Sequence, residues 1–197
     1  MKLDDIIKNT LEESVKVNSE SDLDENFLKG LGLASNLLID TFKNNGKVLL
    51  AGNGGSAADA QHIAAEFIGR LNFDREPLPA IALTANTSNL TCIANDYGYD
   101  HIFSRQAHAL ANTNDSVIVY TTSGKSSNIL KLIREIRPKV KSIISLTGMN
   151  TNELEKYSDV VLSVKSKKTT RIQEIHAIAG HIMCECVEET LFKRQNN

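Results

Sequence analysis

Two patterns of apolar positions divide this chain. Over the first ~45 residues they recur with helical spacing. Leu3, Ile6, Ile7 and Leu11 share one face, and Leu28, Leu31, Leu33, Leu37, Leu38 and Phe42 form a second, longer one. The stretch NNGK at 44–47 supplies the Asn and Gly chemistry that ends a helix. Beyond it the apolar residues come in short β-branched runs: KVLLAG (47–52), PAIALTA (79–85), DSVIVYTTSG (115–124), KSIISLTG (141–148) and DVVLSVKS (159–166). Helical segments separate them, and a long closing helix is predicted over 169–193.

Strands that alternate with helices build βαβ units, so the pattern predicts an α/β fold with a five-stranded parallel sheet covered on both faces. No repeat, low-complexity stretch or linker interrupts it, and none of the three prolines isolates a segment. The expectation is one domain over 1–197, with helices over 1–45 used in oligomer packing and an α/β core over 46–197.

Composition narrows the partners. Hydrophobic residues make up 41% and charged residues 23%, with a net charge of -2. That balance gives no electrostatic case for nucleic acid or an anionic membrane. No apolar run approaches the ~20 residues of a membrane span. The N-terminal MKLDDIIKNTLEESVKV carries acids within its first turn and does not read as a secretory signal. Three cysteines, Cys92, Cys184 and Cys186, are too few and odd in number for a disulfide framework, which fits a reducing, cytoplasmic setting. Cys184 and Cys186 stand two apart and so face different sides of the closing helix.

In a parallel sheet, ligands bind where strand ends feed helix N-termini. Two such loops are chemically marked. Asn53-Gly54-Gly55-Ser56 combines close backbone approach with the unpaired N–H groups of a helix start. Thr121-Thr122-Ser123-Gly124-Lys125-Ser126 offers four hydroxyls at another. Neither has the spacing of a P-loop or of the dinucleotide fingerprint. Either loop alone is ordinary turn chemistry. Together on one sheet edge they read as a phosphate cradle. His62 and Glu66, at i and i+4, can close on a divalent metal. The closing helix carries Arg171, Gln173, Glu174, His176 and His181, with His176 read as a surface or packing histidine. His101 and His108 read as structural, and Asn95-Asp96-Tyr97-Gly98 is a polar turn.

Taken in order, AGNGGSAADAQHIAAEFIGR, LPAIALT, IANDYGYDHIFSRQ, TTSGKSSN and RIQEIHAIAGH resemble the sugar isomerase (SIS) fold and, within it, the phosphoheptose isomerases, over nearly the whole chain. The resemblance implies conversion of sedoheptulose 7-phosphate to D-glycero-D-manno-heptose 7-phosphate, the entry to bacterial heptose for lipopolysaccharide or capsule. It implies a homotetramer with sites between subunits and a bound zinc. Its metal ligands would be His62, Glu66, Gln173 and His181. Ser56, Thr121, Thr122, Ser123 and Ser126 would meet the phosphate. Asn53, Gly54, Gly55, Asn95, Asp96 and Gln173 would contact the sugar, with Arg70 approaching from the end of the His62 helix. Lys125 departs from the Asn usual there, and SKKTT before Arg171 is unusually basic.

An aldose–ketose isomerase moves one proton between carbons and another between oxygens, which needs a base over the carbon and an acid near the oxygens. Glu66 is the expected base and His181 the expected acid. Glu66's two roles compete, because a carboxylate on a cation is a weaker base. Some SIS proteins near this family bind partners without isomerising, one of them the replication initiator. In that protein the positions of Glu66 and His181 lack the acid and the histidine.

Helix geometry adds one expectation. Gln173 and His181 stand eight residues apart, a rise of ~12 Å on a straight helix. Metal bonds are only ~2 Å long. Either the helix is irregular near Gln173 or the two residues come from different chains. Since the resemblance implies sites between subunits, Glu66 and His181 of one working site are expected from different subunits.

Overall fold

The computed structural model describes residues 2–22 and 24–193. Helices α1 (Leu3–Asp22) and α2 (Glu25–Lys43) precede β1 (Val48–Gly52) and α3 (Gly55–Ile68). Then come β2 (Ala80–Ala82), α4 (Thr87–Tyr97), α5 (Ser104–Leu110), β3 (Ser116–Thr121) and α6 (Ser127–Ile136). The chain closes with β4 (Ser142–Thr147), α7 (Asn152–Glu155), β5 (Val160–Ser163) and α8 (Thr169–Phe192). Each strand lies inside its predicted apolar run.

All four strand pairings are parallel, in the order β2-β1-β3-β4-β5. β1, β3 and β4 are buried along their full length, as continuous apolar runs require when helices cover both faces. One face packs against α2, α3 and α8 through Phe27, Leu38, Ile63, Phe67, Ile175 and Met183. The other packs against α5 and α6 through Ile102, Phe103, Ile129, Leu132 and Ile133. The strand order reverses between β1 and β3, so their carboxyl ends flank an open crevice. Both marked loops start there.

The N-terminal helices divide. In α2, Leu31, Leu38 and Phe42 enter the core, whereas Leu28 and Leu33 face outward, so the six residues read as one face occupy two. Asn44 caps α2, and Asn45 takes the positive φ of 57°. In α1 the predicted face is exposed, with Leu3 at 70% and Leu11 at 62%. Polar contacts hold this helix instead. Arg171 Nη1 donates to the Thr10 carbonyl at 2.7 Å, and Ser14 donates to Glu174 at 2.7 Å. Within the basic SKKTT, Lys168 pairs with Glu13 on α1, and Lys165 just before it pairs with Asp24.

Candidate active site

α3 begins at the carboxyl end of β1. Gly54 caps it with φ 57° and ψ −122°, a conformation that only glycine adopts without strain. Ser56 is buried in the first turn. Across the crevice, β3 ends at Thr121 and α6 starts after Ser126, with the Thr121 and Ser126 hydroxyls 3.3 Å apart. A cleft of about 250 Å³ opens between them, lined by Asn53, Gly54, Gly55, Ser56, Tyr120, Thr121, Thr122, Ser126, Thr169 and Gln173. The helix starts of α3 and α6 and the hydroxyls of Ser56, Thr121, Thr122, Ser126 and Thr169 make it suited to an anion. Ser123 does not line it; its hydroxyl accepts from the Lys125 backbone N–H at 3.1 Å, and both side chains are exposed.

α8 is one uninterrupted helix that runs parallel to α3 at a nearly constant offset. Gln173 lies against Gly55, where an added Cβ would sit 2.4 Å from Nε2. Farther along, Gly180 meets Ile63 so closely that a Cβ would fall 2.6 Å from its Cδ1. Absence of that Cβ lets the two backbones approach, and the side chains beside the contact converge. His62 Nε2 and His181 Nε2 are 2.8 Å apart with the rings edge-on, and Glu66 Oε1 is 3.6 Å from His62 Nε2. Ligand atoms of His62, Glu66 and His181 all lie within 4.8 Å of one another.

Two imidazole nitrogens and a carboxylate oxygen form a donor set suited to a divalent transition metal. Two nitrogens on a tetrahedral ion stand about 3.3 Å apart, given bonds of ~2.0–2.1 Å. The histidine pair would open by roughly 0.5 Å to accept one.

Two expectations change. Gln173, expected among the metal ligands, lies against Gly55 and lines the anion cleft. Parallel packing is the reason, because seven residues of α3 separate Gly55 from His62, a rise of ~10 Å. Nor do Glu66 and His181 need separate subunits. One chain brings them together, because α8 pairs with α3 residue for residue and His181 meets His62, not the helix start.

The other predicted contacts are spread. Asn95 and Asp96 lie exposed in the last turn of α4, bonded to each other at 2.8 Å. Arg70 is exposed just past the far end of α3, ~22 Å along the helix direction from Gly55. Sequence reasoning missed Tyr99 and Asn128. Asn128 exchanges two hydrogen bonds of 2.9 Å with the Asn53 carboxamide, and the Tyr99 hydroxyl donates to Asn53 Oδ1 at 3.1 Å. Only their position after the two marked motifs pointed to them.

Behind the cleft lies a buried polar layer. Burial pushes the Tyr120 phenol well up and raises the Asp59 carboxyl, the latter offset in part by His62. His176, fully buried and 6.0 Å from the Tyr120 ring, is driven down to about 4 by desolvation, with the Thr147 backbone offsetting part of it.

The SIS domain family matches residues 17–148. A phosphoheptose isomerase of Burkholderia pseudomallei is 48% identical over 189 residues, 96% of each chain. One of Aneurinibacillus thermoaerophilus is 45% identical over 193 residues, 98% of each. This chain belongs to the phosphoheptose isomerase family. The solved phosphoheptose isomerase of Neisseria gonorrhoeae superposes with a TM-score of 0.89 at 36% identity, covering 95% of this chain and all of that one. No helix among the described residues is long and apolar enough to cross a membrane.

Proposed function

We propose that the chain isomerises sedoheptulose 7-phosphate to D-glycero-D-manno-heptose 7-phosphate, a first cytoplasmic step toward nucleotide-activated heptose for lipopolysaccharide or capsule. The convergence of Glu66 with His181, about two turns along α3 from an anion cleft, carries this reading. Phosphate would sit among the hydroxyls of Ser56, Thr121, Thr122 and Ser126 and the N–H groups of α3. The rigid helix then sets the reach from phosphate to the reacting carbons.

Glu66 takes the proton from carbon, and His181 moves protons at the two oxygens. Zinc is the metal this donor set fits, held by His62, Glu66 and His181, and a cation there supplies Lewis-acid stabilisation of negative charge on oxygen. Asn53, steadied by Asn128 and Tyr99, is placed to contact the sugar.

Self-association is part of the proposal. The exposed Leu3, Ile6, Ile7, Leu11 and Val15 of α1 and Leu28 and Leu33 of α2 are unlike a monomer's surface. Arg70, Asn95 and Asp96 are exposed and do not line their own cleft, as substrate contacts donated to a neighbouring subunit would be. A homotetramer would bring them in.

The test is turnover of sedoheptulose 7-phosphate with zinc, and again after chelation. Aldose product that disappears with chelator and returns with zinc supports the reading. No product with zinc-loaded protein overturns it.

A further inference from the structure

Glu66 sits in the last turn of α3, where backbone carbonyls have no partner within the helix. Arg75, in the loop that follows, supplies one. Its Nη2 donates to the Glu66 carbonyl at 2.8 Å and its Nη1 to the Phe67 carbonyl at 2.9 Å. A guanidinium there satisfies two carbonyls and complements the negative end of the helix dipole.

The same guanidinium reaches α8. Arg75 Nε donates to Glu188 Oε1 at 3.0 Å. Glu188 also accepts from the backbone N–H groups of Leu71 at 3.0 Å and Asn72 at 2.7 Å. The side chains of Arg75 and Glu188 are 2% and 0% exposed. Burial alone would raise the Glu188 carboxyl, but the N–H groups of Asn72 and Leu71 and the Arg75 charge outweigh it and hold it below the usual range. Glu188 follows His181 by two turns of α8. One buried ion pair thus links the backbone of Glu66 to the helix that carries His181.

We propose that Arg75 and Glu188 are positioning residues that set the separation of Glu66 from His181. Apolar packing at Ile63 and Gly180 holds the helices side by side but is non-directional and permits sliding. A fork of hydrogen bonds to two successive carbonyls fixes the axial register. Register matters because a shift of ~1 Å at a reacting pair can lower a rate ~10²-fold. The proposal rests on the isomerase reading above.

The test compares Arg75→Lys, which keeps the charge and loses the fork, with Arg137→Lys. Arg137 also makes a fork, with Nη1 and Nη2 on the Asp159 carboxylate in a partly exposed pair, at the end of the sheet opposite the site. Two quantities are measured: zinc affinity, by calorimetric titration of metal-free protein, and kcat and KM for sedoheptulose 7-phosphate. Arg75→Lys is expected to bind zinc ~10-fold or more weakly. Its kcat falls ~10–100-fold. Its KM stays within about threefold, since the phosphate cleft lies at the other end of α3. Arg137→Lys lowers the melting temperature and leaves zinc affinity and kcat unchanged. If Arg75→Lys behaves like Arg137→Lys, the pair only stabilises the fold and the proposal is overturned. Should Arg75→Lys fail to fold, Glu188→Gln, closer in shape, decides by the same comparison. A parent chain without turnover sinks the isomerase reading, and zinc affinity then judges the clamp. A parent with neither turnover nor zinc binding overturns both.

Discussion

His62 and His181 meet Nε2 to Nε2 at 2.8 Å although 119 residues separate them. Two donors that close cannot both carry a proton on the facing nitrogen, so the pair requires one neutral acceptor nitrogen or a cation between them. Zinc removal therefore acts on the histidines first. Chelated protein is expected to lose activity while keeping its secondary structure, because the sheet core is remote from the cluster. Circular dichroism beside the activity assay checks this.

Glu66→Gln keeps the shape of the side chain and removes the carboxylate. Activity is expected to fall at least ~10²-fold, the usual worth of a positioned base. The melting temperature should change little, since the Glu66 carboxylate is partly exposed. Turnover near the parent rate would remove Glu66 from the role of base.

Mixed oligomers of Glu66→Gln and His181→Ala chains are expected to remain as inactive as the parents. One chain supplies both residues to its own site, so mixing restores no complete pair. Recovered activity in verified hetero-oligomers would show that the site draws these two residues from different chains.

Within the anion loop the hydroxyls differ. Ser126 lines the cleft, whereas Ser123 turns to the Lys125 N–H. Ser126→Ala is expected to raise KM about tenfold or more, the effect of losing one hydrogen bond to a charged group. Ser123→Ala should stay within about threefold by the same measure. Equal effects would place Ser123 on the phosphate.

His176 gives a pH signature. Burial lowers its folded pKa to about 4, below the ordinary histidine value of 6.5, so the unfolded chain binds the extra proton between those values. Stability contributed by keeping this ring neutral is fully present above pH 6.5 and declines as pH falls toward 4. The loss amounts to about 3 kcal/mol over the full window. Urea denaturation at pH 7 and pH 5 should show the slope in the parent and a shallower one in His176→Gln. Identical slopes would mean that His176 does not drive it.

The fold was legible because its signals are local. Short β-branched runs between helical stretches dictate a parallel sheet, and the strand ends that carry Gly and hydroxyl residues mark the crevice wherever those strands lie. His62 and Glu66 were readable as a pair for the same reason, since one turn of helix separates them. The outward turn of Leu28 and Leu33 was not, because a helix with two apolar stripes does not say which one the sheet will cover.

Partnership across the chain depended on packing. Eight residues between Gln173 and His181 implied an irregular helix or donors from different chains, and α8 is one continuous helix. The parallel course of α8 along α3, permitted by the missing side chain at Gly180, sends Gln173 to the anion cleft and His181 to His62. Arg75 and Glu188 carry no motif at all. Their chemistry exists only where a loop, a helix end and a second helix meet, because a buried fork needs all its acceptors in place at once.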